Sequence, residues 1–351
     1  MMERPRALRV WGRHPGRPGS SWRTALGMVL VAGVLCLLLE GWWILSVPGP
    51  LRFSSRVVEI PAHKGIVEMA EILDDAGVIR SRVGFVLLAM ARGSFRSLKA
   101  GEYQIPQGTN TVKVLDLLEG GKVLQHLVTF QEGSTLGELA RQLELERLSS
   151  AEDVLRVAKD ALFLKTLDIQ ADSVEGYLFP DTYQFVKGMT PEEILARMVA
   201  RLRDKISPEI LAEGRQRDLN VHQLLTLASI IEKEAVDPSE MPLISAVFWN
   251  RLKKDMPLQA DPTVQYAVGK DRKRLIREDL QVDSPYNTYR RQGLPPGPIG
   301  SPGRAAILAA VRPAAVKYLY FVALDDRHHT FSTNLAAHNA AVARYRLVRA
   351  R

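Results

Sequence analysis

The sequence predicts an α+β protein that carries a single apolar helix near its N-terminal end. Three observations favour this class. Residues 24–48 form one apolar run, short strand-like segments then alternate with amphipathic helices, and long helices follow with one hairpin-like pair of strands. Of the 351 residues, 46% are hydrophobic and 25% are charged, which is typical of folded chains rather than disordered ones.

The first 23 residues form a basic tail. They contain six Arg and one Glu, so most of the net charge of +8 lies before the apolar run. The remainder of the chain is nearly balanced in charge. This distribution argues against a nucleic-acid-binding protein, because a basic face in the folded part is the usual signature of that class.

The apolar run predicts a transmembrane helix over residues 24–46. Residues 25–45 contain Glu40 as their single charged side chain, and a stretch of this length can cross the hydrocarbon core of a bilayer. Trp42 and Trp43 suit a membrane–water interface, and the Arg-rich flank predicts a cytoplasmic N-terminus. A cleaved signal peptide is the competing interpretation, but no A-x-A-like site follows. We therefore expect a single-pass protein of the plasma membrane whose bulk is extracytoplasmic, or periplasmic where an outer membrane exists.

A small α/β region is predicted over residues 50–145. Three segments in it share the order of short strand, turn and amphipathic helix: 57–61 with 67–76, 101–106 with 112–118, and 127–130 with 136–143. The third segment, residues 128–140, resembles the opening of a LysM module, which binds glycan in other proteins. An ordinary strand–helix unit explains the same pattern equally well.

Residues 146–351 are predicted to form a larger mixed α+β domain. Its main helices are expected at 191–205, 219–237, 241–252, 305–311 and 335–349, and its hairpin at 318–323 with 329–332. Residues 293–303 contain four prolines and four glycines, which excludes a helix or a central strand. We expect a rigid, shaped loop there.

The helix at 219–237 carries two acids at the margins of its apolar stripe. Asn220 and Gln223 form a capping-box-like start, and at about 100° per residue Glu232 and Glu234 each lie beside apolar positions. A carboxyl group against apolar walls is desolvated, which raises its pKa toward the range of a general acid. The alternative is that both acids simply reach water at the rim. The helical geometry does not choose between the two glutamates.

The sequence predicts no metal site and no cofactor. The sole cysteine, Cys36, lies within the predicted span. His328, His329 and His338 do not have a standard zinc spacing. A nucleophile elbow and a glycine-rich phosphate loop are also lacking. Acids among aromatic and amide side chains remain, a set that suits sugar binding and carboxyl-catalysed cleavage of glycosidic bonds.

Six ordered motifs resemble the endolytic murein transglycosylase family, the MltG or YceG-like proteins. They are EGYLFPDTY, LASIIEKEA, VFWNRLKKDMPLQADPTVQYAVG, SPYNTY, GLPPGPIGSPG, and YLYFVA followed by HHTFSTNLAAHNAAV. The resemblance covers nearly all of the chain after the span and is densest over residues 175–342. It implies a lytic transglycosylase that cleaves the bond between N-acetylmuramic acid and N-acetylglucosamine within nascent glycan strands. The products would carry 1,6-anhydromuramoyl ends, and strand elongation would stop.

The resemblance also implies roles for individual residues. Glu234, the second glutamate of the E-K-E motif, would be the catalytic acid and then the base. The residues implied to line the substrate cleft are Glu175, Tyr177, Asp181, Tyr183, Gln259, Asp261, Thr263 and Asn287. Implied partners are peptidoglycan glycan strands, the plasma membrane and a cell-wall synthase. Two alternatives stay open: a hydrolytic muramidase in which Asp261 or Glu175 positions water, and a non-enzymatic, membrane-anchored glycan-binding scaffold.

Overall fold

The computed structural model describes residues 21–50, 55–61, 64–269 and 275–349, and over them the chain is mixed α+β. Residues 1–20 of the predicted basic tail lie outside the described residues. The helices are α1 (Ser21–Ser46), α2 (Ile66–Asp75), α3 (Arg82–Ala91), α4 (Thr111–Gly120), α5 (Leu136–Leu145), α6 (Ala151–Val157), α7 (Ala161–Thr166), α8 (Pro191–Lys205), α9 (Pro208–Arg215), α10 (Val221–Glu234), α11 (Met241–Leu252), α12 (Asp261–Val268), α13 (Arg304–Val311) and α14 (Leu335–Arg349). The strands are β1 (Ser55–Ile60), β2 (Gly101–Pro106), β3 (Gln125–Thr129), β4 (Thr182–Val186), β5 (Tyr320–Ala323) and β6 (His329–Ser332).

Helix α1 is long and apolar enough to cross a membrane. Within its residues Trp22–Ser46, the most apolar stretch of 18 residues has a mean hydropathy of 2.2, and none of that stretch is buried inside the protein. An apolar helix surface that the protein leaves uncovered is compatible with contact to lipid. The helix agrees with the predicted span at 24–46 and fits a single-pass membrane anchor.

The described residues up to Val123 form one compact unit. Strands β1 and β2 pair antiparallel, from Ser55 opposite Pro106 to Ile60 opposite Gly101. Helices α2 and α3 connect these strands, and α4 follows β2. The core of this unit is apolar and fully buried, and it includes Ile60, Leu73, Phe85, Tyr103, Ile105, Leu115 and Leu118.

The described residues from Leu124 onward form the second compact unit. Strand β3 pairs antiparallel with β4, and β5 forms the predicted hairpin with β6. Helix α10 crosses the centre of this unit, because every residue from Leu224 to Ile231 is buried. Helices α9, α11, α12 and α13 pack around it.

The compact units divide between Val123 and Leu124, whereas the predicted domains divide between 145 and 146. The difference has a physical reason in the strand pairing. Val128 of β3 lies opposite Tyr183 of β4, so the third strand–helix segment joins the C-terminal unit. The LysM-like character of residues 50–145 is not confirmed by this arrangement.

Candidate active site

Helix α10 ends at Glu234. At its start, Asn220 Oδ1 accepts a hydrogen bond from the backbone N–H of Gln223 (2.8 Å), and Gln223 Oε1 accepts one from the N–H of Asn220 (3.0 Å). This capping box confirms the predicted helix start. At the other end, Ala235 turns to an extended conformation with ψ of 124° and stops the helix. Glu234 therefore sits at the negative end of the helix dipole, which disfavours a carboxylate.

The surroundings of Glu234 favour its protonated form. The side chain is half-buried, and burial together with the negative charge of Asp261 raises the pKa of Glu234 to about 8. The positive charge of Arg251 and the backbone N–H of Asp261 act in the opposite direction and are outweighed. A carboxyl group with this pKa carries a proton at neutral pH, as a general acid must.

Asp261 is held beside Glu234 by a tyrosine that the sequence analysis did not single out. Asp261 is the first residue of α12, and its Oδ1 accepts a hydrogen bond from the hydroxyl of Tyr289 (2.5 Å). Burial and the neighbouring Asp261 raise the pKa of Tyr289, so the hydroxyl keeps the proton that it donates. Tyr289 ends the SPYNTY motif, and that motif was the available signal for it.

Arg251 brings a fixed positive charge to the same place. It is buried, and its guanidinium donates to the backbone carbonyls of Leu258 and Leu319 (2.7 Å each) and to Gln259 Oε1 (3.3 Å). Burial lowers the pKa of Arg251. Gln259 adopts a φ of 51°, a left-handed conformation that residues other than glycine rarely hold and that is found preferentially at functional sites.

Glu232 has a different environment from Glu234. Its Oε2 accepts a hydrogen bond from the backbone N–H of Gly303 (2.8 Å), at the end of the Pro/Gly-rich loop of residues 293–303. Burial raises the pKa of Glu232, and this hydrogen bond opposes the rise. Glu232 therefore holds the loop against α10.

Two further contacts fix the same loop along α10. His222 Nε2 lies 2.7 Å from the carbonyl oxygen of Pro296, and Ser229 Oγ accepts from the backbone N–H of Ile299 (3.0 Å). Gly176 faces the loop from the other side, where an added Cβ would lie 2.2 Å from Pro298 Cβ. The predicted shaped loop is thus clamped between α10 and the turn at Gly176.

Glu175 is the second acid with a strongly raised pKa. It is buried, and both carboxylate oxygens accept from the backbone N–H of Leu136 at the start of α5 (3.1 and 3.2 Å). Burial raises the pKa of Glu175 to about 7, against the nearby charge of Lys233. Burial and the nearby charge of Glu175 raise the pKa of Tyr266, whose ring packs on that of Tyr286 with centroids 4.9 Å apart.

Helix α12 connects the surroundings of the two acids. It carries Asp261 next to Glu234 at its first position and Tyr266 next to Glu175 one and a half turns later. The structure thus places four of the predicted site residues around one short helix: Glu234, which is the expected catalytic acid, and Glu175, Gln259 and Asp261 of the predicted cleft.

Three residues of the EGYLFPDTY motif have side-chain hydrogen-bond partners within the protein. The Tyr177 hydroxyl lies 2.9 Å from His222 Nδ1, and the Tyr183 hydroxyl donates to the carbonyl of Phe179 (2.6 Å). Asp181 accepts from Arg201 (2.8 Å), which lowers the pKa of Asp181. These contacts stabilise the turn before β4, and direct substrate contact by the three residues stays a prediction.

Thr263 and Asn287 are fully buried. Thr263 Oγ1 donates to the carbonyl of Ala260 (2.7 Å) and lies 2.8 Å from Thr288 Oγ1. Asn287 Nδ2 donates to two backbone carbonyls, those of Leu280 and Val282 (3.0 and 2.8 Å). The two side chains shape the start of α12 and the loop beside it, and their predicted role in substrate binding stays a prediction.

A cavity of about 480 Å³ lies at the opposite end of α10, where Tyr177, Asn220 and His222 contribute to its walls. A helix of 14 residues is about 20 Å long, so this cavity is well separated from Glu234. Within the described ranges, no group of three His, Cys, Asp or Glu residues is arranged to hold a metal ion.

Comparison with known proteins identifies the family. The YceG-like family matches residues 58–344. A protein of Bacillus subtilis (strain 168) named endolytic murein transglycosylase is 34% identical over 303 residues, covering 82% of this chain and 84% of that protein. A protein of the same name from Streptococcus pneumoniae serotype 2 is 31% identical over 331 residues, and the match covers 84% of this chain and 60% of the pneumococcal protein.

A solved structure shares the fold. The crystal structure of a YceG-like protein from Listeria monocytogenes aligns with a TM-score of 0.58 and 35% identity, over 82% of this chain and 98% of that one. The family match spans both compact units and includes the acids around α12. The chain belongs to the YceG-like family.

Proposed function

We propose that this protein is an endolytic murein transglycosylase, a lyase that cleaves peptidoglycan glycan strands internally. The observation that carries the proposal is the placement of Glu234 beside Asp261 at the end of α10, where burial and the charge of Asp261 raise the pKa of Glu234 to about 8. The relatives from Bacillus subtilis and Streptococcus pneumoniae, named for this activity, support it.

Glu234 acts twice in the proposed reaction. As the protonated acid, it donates its proton to the oxygen of the bond between N-acetylmuramic acid and N-acetylglucosamine, and the bond from this oxygen to C1 breaks. The resulting carboxylate then accepts the proton of the muramoyl C6 hydroxyl, whose oxygen closes on C1. The products are a free N-acetylglucosamine hydroxyl and a 1,6-anhydromuramoyl end, so no water is consumed. A pKa near the working pH suits a group that must first give and then take a proton.

The two acids of the E-K-E motif differ in a way that supports this assignment. Glu232 already accepts a hydrogen bond from Gly303, whereas Glu234 faces Asp261 and Arg251. A carboxyl group that holds a loop through a hydrogen bond is not free to move toward a substrate. The pKa of both acids is raised by burial, but only the pKa of Glu234 rises to about 8, because the negative charge of Asp261 lies beside it and favours its protonated form.

Arg251 and Asp261 have proposed supporting roles. The fixed guanidinium of Arg251 stabilises the carboxylate that forms at Glu234 after proton transfer, because the two groups interact electrostatically. Asp261, oriented by Tyr289, keeps Glu234 protonated before transfer. Gln259 and Glu175, with its aromatic neighbour Tyr266, would contact the sugar rings and their hydroxyls.

A hydrolytic muramidase and a glycan-binding scaffold are the alternatives. The hydrolase would need a second carboxylate to position water, and Asp261 and Glu175 are the residues available for it. The test is digestion of purified peptidoglycan with the full chain and with Glu234→Gln, followed by mass spectrometry of the new ends. Anhydromuramoyl ends from the unmodified protein alone support the proposal. New reducing ends would show that the protein is a hydrolase. If neither protein produces new ends, the glycan-binding scaffold is the better interpretation.

The remaining assignments are proposals about location and partners. The anchor helix α1 would place the N-terminus in the cytoplasm and the second unit outside it, and protease accessibility in intact cells tests this orientation. The LysM-like segment at 128–140 would add glycan affinity, which a pull-down on insoluble peptidoglycan measures. A cell-wall synthase is the proposed membrane partner, and failure to co-purify with any elongation enzyme would remove it.

A further inference from the structure

Helix α3, in the first compact unit, has an apolar face that the described residues leave uncovered. Val83, Leu87 and Met90 are 67%, 60% and 57% exposed, and at ~100° per residue they lie within about 60° of one another. Phe85 and Ala89 on the other side of the helix are fully buried in the core of this unit. The ten residues of α3 are too few to span a bilayer.

This helix is packed against the last turn of α1. A Cβ added to Gly84 would lie 3.0 Å from Ile44 Cγ2, so the first turn of α3 contacts the end of the anchor helix directly. The guanidinium of Arg80 lies 4.8 Å from the ring centroid of Trp43, and Arg80 Nε donates to the carbonyl of Pro48 (2.8 Å).

Two more contacts fix the exit of α1. Gly49 passes so close to the turn after α2 that an added Cβ would lie 2.4 Å from the carbonyl oxygen of Val78. Asn110 Nδ2 donates to the carbonyl of Ser46 (3.3 Å). The exit of α1 is therefore a rigid junction with the first unit rather than a free linker.

The residues around the apolar face suit the headgroup region of a bilayer. Arg80 precedes α3 and rests on Trp43, and Arg96 follows α3 and lies 5.4 Å from the ring centroid of Phe95, itself 51% exposed. Trp is enriched at membrane–water interfaces, and helices that lie in an interface combine Lys or Arg side chains with Trp, Phe or Leu. An apolar helix face between two Arg–aromatic pairs has the composition of an interfacial helix.

We propose that the face formed by Val83, Leu87 and Met90 lies in the interface of the membrane that α1 spans. The occupant is lipid rather than a protein partner, because the face is continuous with the anchor through the contacts of Gly84 and Arg80. The first unit then lies on the bilayer surface instead of moving freely on a flexible linker. This inference rests on the proposed anchoring by α1.

The test uses the full chain in lipid vesicles with an environment-sensitive fluorophore on single cysteines. Cys36 is the sole natural cysteine and reports on the span. In a Cys36→Ser background, Leu87→Cys reports on α3, and the same labelled protein in vesicles without nitroxide lipid is the matched control. Lipids carrying a nitroxide near the headgroup end of the acyl chain, or near its terminus, quench nearby probes.

The probe at Leu87→Cys is expected to be quenched by the shallow nitroxide and to emit at shorter wavelength than the free fluorophore does in water. The probe at Cys36 is expected to be quenched by the deep nitroxide. A quenched Cys36 with an unquenched Leu87→Cys would overturn the proposal and leave the anchor intact. A blue-shifted but unquenched probe at Leu87→Cys would also overturn it, because protein would then cover the face. An unquenched Cys36 would remove the anchor on which the inference rests.

Discussion

The two sides of the C-terminal end of α10 put the same residue type to different uses. On one side, Glu232 accepts a hydrogen bond from Gly303 and holds the Pro/Gly-rich loop. On the other, Glu234 faces Asp261 and Arg251, and its pKa is raised to about 8. Because they are two residues apart on a helix, the two side chains point in directions about 160° apart around the helix axis. Surroundings, and not residue type, therefore separate the acid that holds the loop from the acid that we propose as catalytic.

The largest expected effect is a difference in lytic activity between variants of Glu234 and Glu232. Glu234→Gln removes the proton donor, and we expect lysis of purified peptidoglycan to slow by about 10²–10⁴-fold. Glu232→Gln is the matched control, because a Gln oxygen still accepts from Gly303 N–H, and it should retain most of the activity. Release of soluble fragments over time measures both. An equal loss of activity in the two variants would contradict the different roles of Glu232 and Glu234.

The position of the Pro/Gly-rich loop that Glu232 holds should depend on the close approach of Gly176 to Pro298. This residue has a φ of 78°, and a Cβ there would lie 2.2 Å from Pro298 Cβ. We expect Gly176→Ala to lower the free energy of unfolding by about 2–5 kcal/mol, from the left-handed backbone and the overlap together. Gly188→Ala is the control: its φ is 92° but no atom lies within 4 Å, so only about 1–2 kcal/mol should be lost. Chemical denaturation of both variants measures the difference, and equal losses would contradict the clamped loop.

Glu232→Ala is expected to lower the stability of the protein while leaving its activity largely intact. Without the carboxylate, the backbone N–H of Gly303 loses its partner at the start of α13, and we expect a loss of about 1–3 kcal/mol in the free energy of unfolding. Activity at a temperature well below the unfolding transition should persist. A variant that is fully stable but inactive would assign Glu232 to the chemistry instead.

The remaining expected effect is a pH dependence of stability that Glu234 alone produces. The pKa of Glu234 is about 8 in the folded protein and near 4.5 in an unfolded chain, so between these values the folded state binds the additional proton. Its contribution is fully present below about pH 4.5 and is lost as the pH rises through about 8. Glu234→Gln should therefore unfold like the unmodified protein at low pH and be the more stable of the two at pH 8.5. Identical denaturation curves at both pH values would show that Glu234 is not held protonated.

Much of the fold was predictable because it depends on local patterns. The predicted helices at 191–205 and 335–349 agree with α8 and α14, since caps and apolar periodicity define them. Helix α12 was not predicted, because the Asp261–Pro262 start looks like a turn although Pro suits the first turn of a helix. Helix α3 was also missed, since its apolar residues face both the core and the outside and leave little periodicity.

The site was predictable in part for a similar reason. The helical projection placed Glu232 and Glu234 at the margins of the stripe, and both are half-buried. It could not separate them, because their difference lies in Gly303 and Asp261, which are distant in sequence. The contact between Tyr289 and Asp261 joins residues 28 positions apart and left no local signal.

The most direct test of the central claim is the pH–rate profile of glycan-strand lysis by the full chain. A general acid must be protonated before it acts, so kcat/KM should fall above an apparent pKa near 8. In Asp261→Asn the like charge beside Glu234 is gone, and the descending limb should move to lower pH. The predicted result is a descending limb with an apparent pKa near 8 in the unmodified protein, and a lower apparent pKa in Asp261→Asn. A limb near pH 4 to 5 in the unmodified protein, or one that Asp261→Asn leaves in place, would contradict the account.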